Sequence, residues 1–240
     1  EYKKIKDLFI FSFFSGLLIL IRGEFLFFYI FSSIYFFIYI DRNMKTLLIS
    51  FIVTSIIIIP YLNRNYQNFD TFVLTKSFGY NLLKGNNPSF KVEGDYKHIE
   101  EIKKSENKNI KANNYYEINL DALFKKKAMS FILKDPFSYV KFYFIKVISF
   151  LFIDFNSTYP NYYNIFHLIP KILLAVASFA GAVLAINKRG FFQFLSLYFF
   201  LNIFLFSIFF ILPRYSLILL PIQLLLVIEF AKYLKRKLIN

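Results

Sequence analysis

Three arginines stand at the ends of long apolar runs: Arg22 after Leu8 to Ile21, Arg64 just past Leu47 to Ile59, and Arg214 after Phe191 to Leu212. A guanidinium at such a junction lies just outside hydrocarbon. There its planar fork of donors can hold a phosphate in bidentate fashion without the full cost of a charge inside the bilayer. His167 and Lys171 are four residues apart at the start of another apolar run, so they share a helix face and could reach the same anion. The simpler alternatives are local. Each arginine can snorkel, Arg22 can pair with Glu24, and His167 and Lys171 can serve as interfacial anchors.

Acid–base chemistry has few candidates. Glu24 is the acid in the short turn after the first run, and Asp154 ends an aromatic element. An ion pair or structural role is favoured over catalysis for both. Glu229 has Lys232 three residues on as its expected partner. Neither His98 nor His167 has a histidine or cysteine at ligand spacing, so no metal site and no cofactor is expected, and a chain without cysteine has no thiolate chemistry. Asn156-Ser157-Thr158 fits an N-glycosylation sequon.

The elements that must position these groups are membrane helices. Hydrophobic residues make up 57% of the 240 residues, aromatics 22%, and mean hydropathy is +0.49, with the apolar residues in long runs rather than stripes. That pattern is an all-α integral membrane protein. Phe and Tyr, with no Trp, take the interfacial places. The net charge of +14 comes mostly from loops between apolar runs and one hydrophilic segment, which argues for membrane topology rather than nucleic-acid binding.

About six crossings are expected. Residues 1–62 hold three, as a tight helical pair (Leu8–Ile21 and Phe25–Ile40) and a third run that stops at Pro60. Residues 165–240 hold three more (Ile165–Ile186, Phe191–Leu212 and Tyr215–Tyr233) and a basic cytoplasmic tail. Residues 139–164 form an interfacial or re-entrant element, because making Tyr139–Phe155 a crossing would move basic loops to the wrong side. Residues 63–138 are then an external loop region, with a small, partly ordered subdomain from Lys91 to Asn114 and an amphipathic helix from Tyr115 to Lys134. Within it Gly79, Gly85 and Asn86-Asn87-Pro88 read as turns.

Several segments carry a resemblance. Pro60-Tyr61-Leu62-Asn63-Arg64-Asn65 with Gly79-Tyr80-Asn81-Leu82-Leu83-Lys84-Gly85-Asn86-Asn87-Pro88 resembles the P-W-x-x-R-N and G-x-N-L-x-x-G-N-N-P pattern of bacterial GT-C-fold membrane glycosyltransferases, the group of protein mannosyltransferases and aminoarabinose transferases. Tyr61 stands where that family has Trp. Gly16-Leu17 to Arg22-Gly23-Glu24 is similar to its G-L-x-x-L-T-R-P-E segment, with Gly23 for Pro. Asp135-Pro136-Phe137-Ser138-Tyr139 resembles N-P-G-x-Y, and Pro213-Arg214-Tyr215 with Pro221 resembles P-R-Y-x-x-x-x-x-P. Each motif is weak, and their order is the specific part.

The resemblance implies the C-terminal portion of an enzyme that transfers a sugar from a polyprenyl-phosphate donor to a glycan, lipid or protein acceptor at the external face of a bacterial plasma membrane. It implies donor-phosphate binding by Arg22, Arg64 and Arg214, to which the helical spacing of His167 and Lys171 adds two further candidates. It places Tyr61, Asn63, Asn81, Asn86, Asn87 and Glu24 at an acceptor cleft. The catalytic residue is unknown, since the family's base lies in a loop expected upstream of Glu1. A lipid-linked glycan flippase or polymerase, or a non-catalytic membrane scaffold, stays open as an alternative.

Overall fold

A computed structural model describes residues 2–106, 110, 113 and 115–239, and among these the chain is helical, with no strand. Three helices are long and apolar enough to cross a membrane: Met44–Phe69, Ile165–Ala185, and the continuous Pro213–Ile239. Two shorter apolar helices, Phe25–Tyr39 and Phe191–Phe206, accompany them. At about 1.5 Å per residue these two span roughly 23 Å, short of the ~30 Å hydrocarbon core. The chain is a helical membrane protein in two compact units, residues 1–76 with 112–117, and residues 77–111 with 118–240.

The first unit is built on α1 (Tyr2–Ile21), α2 (Phe25–Tyr39) and α3 (Met44–Phe69). Small residues let α1 and α3 approach: a Cβ on Gly16 would stand 3.0 Å from the Ile57 side chain. A polar seam crosses the same contact. Ser12 Oγ lies 2.7 Å from Ser50 Oγ, Tyr29 OH is 2.9 Å from Ser50 Oγ, and Thr54 Oγ1 donates to the Ser12 carbonyl at 3.1 Å. In a membrane interior these hydroxyls need each other, because neither water nor lipid can satisfy them there. The register Ser12–Ser50, Gly16–Ile57, Ile19–Ile58 makes α1 and α3 parallel, so Arg22 and Arg64 lie toward one end of this unit.

Pro60 does not end α3. The helix runs through it to Phe69, with Asn63, Arg64 and Asn65 inside, which corrects the expected boundary. Proline removes one backbone donor, a loss that helices tolerate when the surrounding turns stay paired. At about 1.5 Å per residue the 26 residues of α3 reach roughly 39 Å, so its last two turns extend beyond a bilayer core. The end is made by tertiary contacts: Asp70 takes a left-handed conformation (φ 51°), Tyr66 stacks on Phe72, and Asn65 Nδ2 donates to the Val73 carbonyl at 2.7 Å.

The second unit holds α4 (Phe78–Gly85), α5 (Tyr96–Glu106), most of α6 (Tyr116–Lys134), α7 (Pro136–Leu151), α8 (Ile165–Ala185), α9 (Phe191–Phe206), a 3-10 segment (Pro213–Leu219) and α10 (Leu220–Ile239). A helix, α6, covers the stretch expected to form an amphipathic one near Tyr115–Lys134, and it buries Leu120, Phe124 and Ala128. Part of the expected Lys91–Asn114 subdomain, residues 107–109, 111, 112 and 114, lies outside the described residues. In α7, Asp135 caps the helix by accepting the Ser138 N–H at 3.2 Å, and Pro136 occupies the first turn where its missing N–H is harmless.

Helices α8 and α10 run parallel, with α9 returning between them. Gln223 faces Ser178, and Gly181 meets the Leu226 carbonyl so closely that a Cβ there would lie 2.0 Å from its oxygen. Ser196 Oγ on α9 donates to the Ala182 carbonyl at 2.7 Å. Ala175, Ser178, Gly181, Ala182 and Ala185 form the buried stripe of small residues that allows this approach. The consequence is positional: His167 and Lys171 share an end of the bundle with Arg214, while Lys188 and Glu229 are at the other.

Candidate functional site

At the first of these ends a cavity of about 520 Å³ opens between the start of α8 and the 3-10 segment. His167 and Lys171 enter it from α8, one turn apart, and Arg214 enters from the residue after Pro213. Leu151, Phe166, Leu174, Leu217 and Leu220 make the rest of its wall largely apolar, and Ser216 and Gln223 add two neutral polar groups. Local chemistry sets these positions. Asn164 starts α8 by accepting the Phe166 N–H at 2.9 Å, and Pro213 starts the 3-10 segment, whose tight turn is closed by Ser216 Oγ on the Pro213 carbonyl at 2.9 Å.

Lys171 is held from behind. Its Nζ donates to Tyr162 OH at 3.2 Å and lies 5.0 Å from that ring's centre. Tyr162, 4% exposed, also accepts the Asp154 N–H at 2.9 Å and packs edge-on against His167. Burial pushes the Tyr162 phenol up. Asp154 is buried as well, and burial raises its carboxyl, opposed by the Asn156 N–H it accepts at 3.0 Å. The neighbouring Glu93 charge raises it further and the Lys171 charge lowers it. Glu93 in turn fastens the loop, taking the Ser157 hydroxyl, the Thr158 N–H at 3.0 Å and the Thr158 hydroxyl at 2.6 Å. The Ser-Thr of the sequon thus serves as a carboxylate clasp.

Arg214 is exposed, and among the described residues no carboxylate pairs with it. Its charge reaches Lys84, whose ammonium is held below the usual lysine range by burial first and by Arg214 second. Lys84 Nζ rests 4.1 Å over the Phe210 ring. A cavity with cationic groups at one side and aliphatic wall elsewhere suits an anion carried on an apolar chain.

The other residues singled out in the sequence fall in different surroundings. Arg22 pairs with Glu24, the local alternative, and both belong to the first unit. Arg64, Tyr61 and Asn63 are exposed on α3. Asn81 is half-buried on α4. Asn86 and Asn87 are buried and engaged in the fold. Asn86 Nδ2 donates to the Leu82 and Ile208 carbonyls at 2.8 and 3.0 Å, and Asn87, fully buried, joins the Lys84 and Lys91 carbonyls and accepts from Ser89 and the Lys91 N–H.

A residue singled out for no function holds that knot together. Lys146, fully buried, donates to the Gly85 carbonyl at 2.9 Å, Asn86 Oδ1 at 3.2 Å and the Ile208 carbonyl at 3.3 Å. Desolvation lowers its ammonium to about 7. Gly79 and Gly85 are helical rather than turn residues, which corrects their reading. A Cβ on Gly85 would stand 2.3 Å from the Phe209 carbonyl carbon, and one on Gly79 would stand 1.9 Å from the Asp121 carbonyl oxygen. Asp121 also caps α4 through the Gly79 and Tyr80 N–H groups, both at 2.9 Å.

Among the described residues no group of histidines and carboxylates is arranged to hold a metal ion. No protein-family model, curated protein or solved structure matches the chain.

Proposed function

We propose that this chain is the donor-binding, C-terminal portion of a membrane glycosyltransferase that uses a polyprenyl-phosphate sugar. The observation that carries the reading is the cavity in which His167, Lys171 and Arg214 meet beside an aliphatic wall. A polyprenyl phosphate has the complementary form. Its phosphate would lie against Lys171 and Arg214, and its chain would leave along Leu217 and Leu220 toward lipid. When the sugar–phosphate bond breaks, negative charge grows on the leaving phosphate, and fixed cations in a partly dehydrated site lower the barrier most at that moment. Tyr162 would act as a positioning residue that keeps Lys171 aimed into the cavity.

In this reading six helices cross the bacterial plasma membrane, α7 lies at the interface, and the cleft faces outward. The base that takes the acceptor's hydroxyl proton is assigned to a carboxylate outside these residues, as the resemblance implies. Sugar transfer from a polyprenyl-phosphate donor separates this reading from a flippase or polymerase, which would bind the same lipid without that activity. The direct test is binding of polyprenyl phosphate and of the matching polyprenol to the purified protein in lipid nanodiscs. Tighter binding of the phosphate, reduced by about tenfold in Arg214→Ala, supports the reading. Equal binding of the two lipids sinks it.

A further inference from the structure

At the opposite end of the α8–α10 bundle lies a second cationic cavity, of about 180 Å³, lined by Leu184, Lys188, Glu229, Lys232, Tyr233 and Arg236. We propose that it binds the phosphate of an anionic phospholipid head group in the leaflet at that end. This goes beyond the glycosyl-transfer reading and does not depend on it.

The cavity is built around a buried acid. Glu229 is 4% exposed and accepts from Lys188 on one carboxylate oxygen and from Lys232, at 2.9 Å, on the other. Two ammonium groups repel each other, so unaided they would not stay beside one cavity. Glu229 keeps them there. Each lysine has three donors and gives Glu229 one, so donors remain for a second acceptor. Arg236 adds a guanidinium to the same lining, so three cations face one carboxylate and the site retains net positive charge. Leu184 and Tyr233 supply an apolar flank of the kind a glycerol and acyl region would meet.

Position selects the lipid. Along α10, Leu220 of the first cavity and Arg236 of the second are separated by a rise of about 24 Å, comparable with the ~30 Å hydrocarbon thickness. A bundle spanning the bilayer therefore puts this cavity at head-group depth on the side opposite the His167–Arg214 cleft. Arg189 and Lys235, exposed nearby, raise the local concentration of anionic lipid without lining the cavity.

The test is native mass spectrometry of the full chain released from nanodiscs of phosphatidylcholine with about one quarter phosphatidylglycerol, counting retained lipid. The wild type is expected to retain phosphatidylglycerol in preference to phosphatidylcholine. Arg236→Gln, which leaves both Glu229 ion pairs in place, should lower retention about fivefold, and adding Lys188→Gln should lower it further. The charge-matched pair Arg189→Gln with Lys235→Gln should change it less than about twofold. Equal losses in the two double variants would mean diffuse attraction and overturn the site. Full displacement by ~10 mM inorganic phosphate would also overturn it, showing a free-anion site rather than a lipid site.

Discussion

Two polar constellations in the second unit differ in how their groups are satisfied. One is the knot of Gly85, Asn86, Asn87 and Lys146; the other is the cleft of His167, Lys171 and Arg214. In the knot every amide and ammonium named above has a protein partner, and Lys146 has three. In the cleft the cations are half-buried or exposed, Lys171 is steadied by one phenol, and Arg214 faces a cavity. A satisfied polar cluster is structure. A cationic cluster steadied from behind and open in front is a place for an anion.

The contrast is broken most severely at Gly85. Gly85→Ala would drive a Cβ into the Phe209 backbone, with no flexible side chain able to move aside. We expect a loss of about 3 kcal/mol or more, seen as loss of monodisperse protein in detergent. A normal yield and melting temperature would show that α4 and the 206–212 segment can part easily.

Lys146→Met comes next. It leaves the Gly85 and Ile208 carbonyls and Asn86 Oδ1 without their ammonium donor, and should lower stability by about 2–3 kcal/mol while lipid-phosphate binding survives in the folded fraction. The same residue has a pH signature. Its folded value of about 7 lies below the ordinary lysine value of 10.5, so between these the unfolded chain binds more protons. Stability should therefore rise as pH goes from about 7 toward 10, and Lys146→Met should flatten that rise in pH-dependent melts.

Arg214→Ala should have the opposite profile. We expect about tenfold weaker binding of polyprenyl phosphate with melting temperature changed little, because the side chain is exposed. A large fall in melting temperature with unchanged binding would move Arg214 into the structural class. The smallest effect is expected at Arg22. Its pair with Glu24 is partly exposed, so a double-mutant cycle on the two should give a coupling of about 0.2–1 kcal/mol. A loss of lipid-phosphate binding in Arg22→Ala that Glu24→Ala does not share would instead assign Arg22 to the phosphate.

What could be seen in the chain itself was whatever depends on neighbours along it. Apolar runs announced membrane helices, Lys232 stood three residues from Glu229, and the apolar spacing between Tyr115 and Lys134 announced the helix α6. Pro60 shows the limit of local rules: it signals a stop, yet the turns around it stay helical as far as Phe69. Beyond that limit, tertiary structure decided. Lys146 finds Gly85 and Ile208 some sixty residues away in each direction, and Glu229 gains Lys188 from another helix. The same packing separates Asn87, sealed in a turn, from Arg214, left open to a cavity. Composition and spacing govern where a helix forms and which face it presents. Whether a polar group on that face is satisfied depends on the atoms that distant segments bring against it, and that is what distinguishes a structural knot from a binding site.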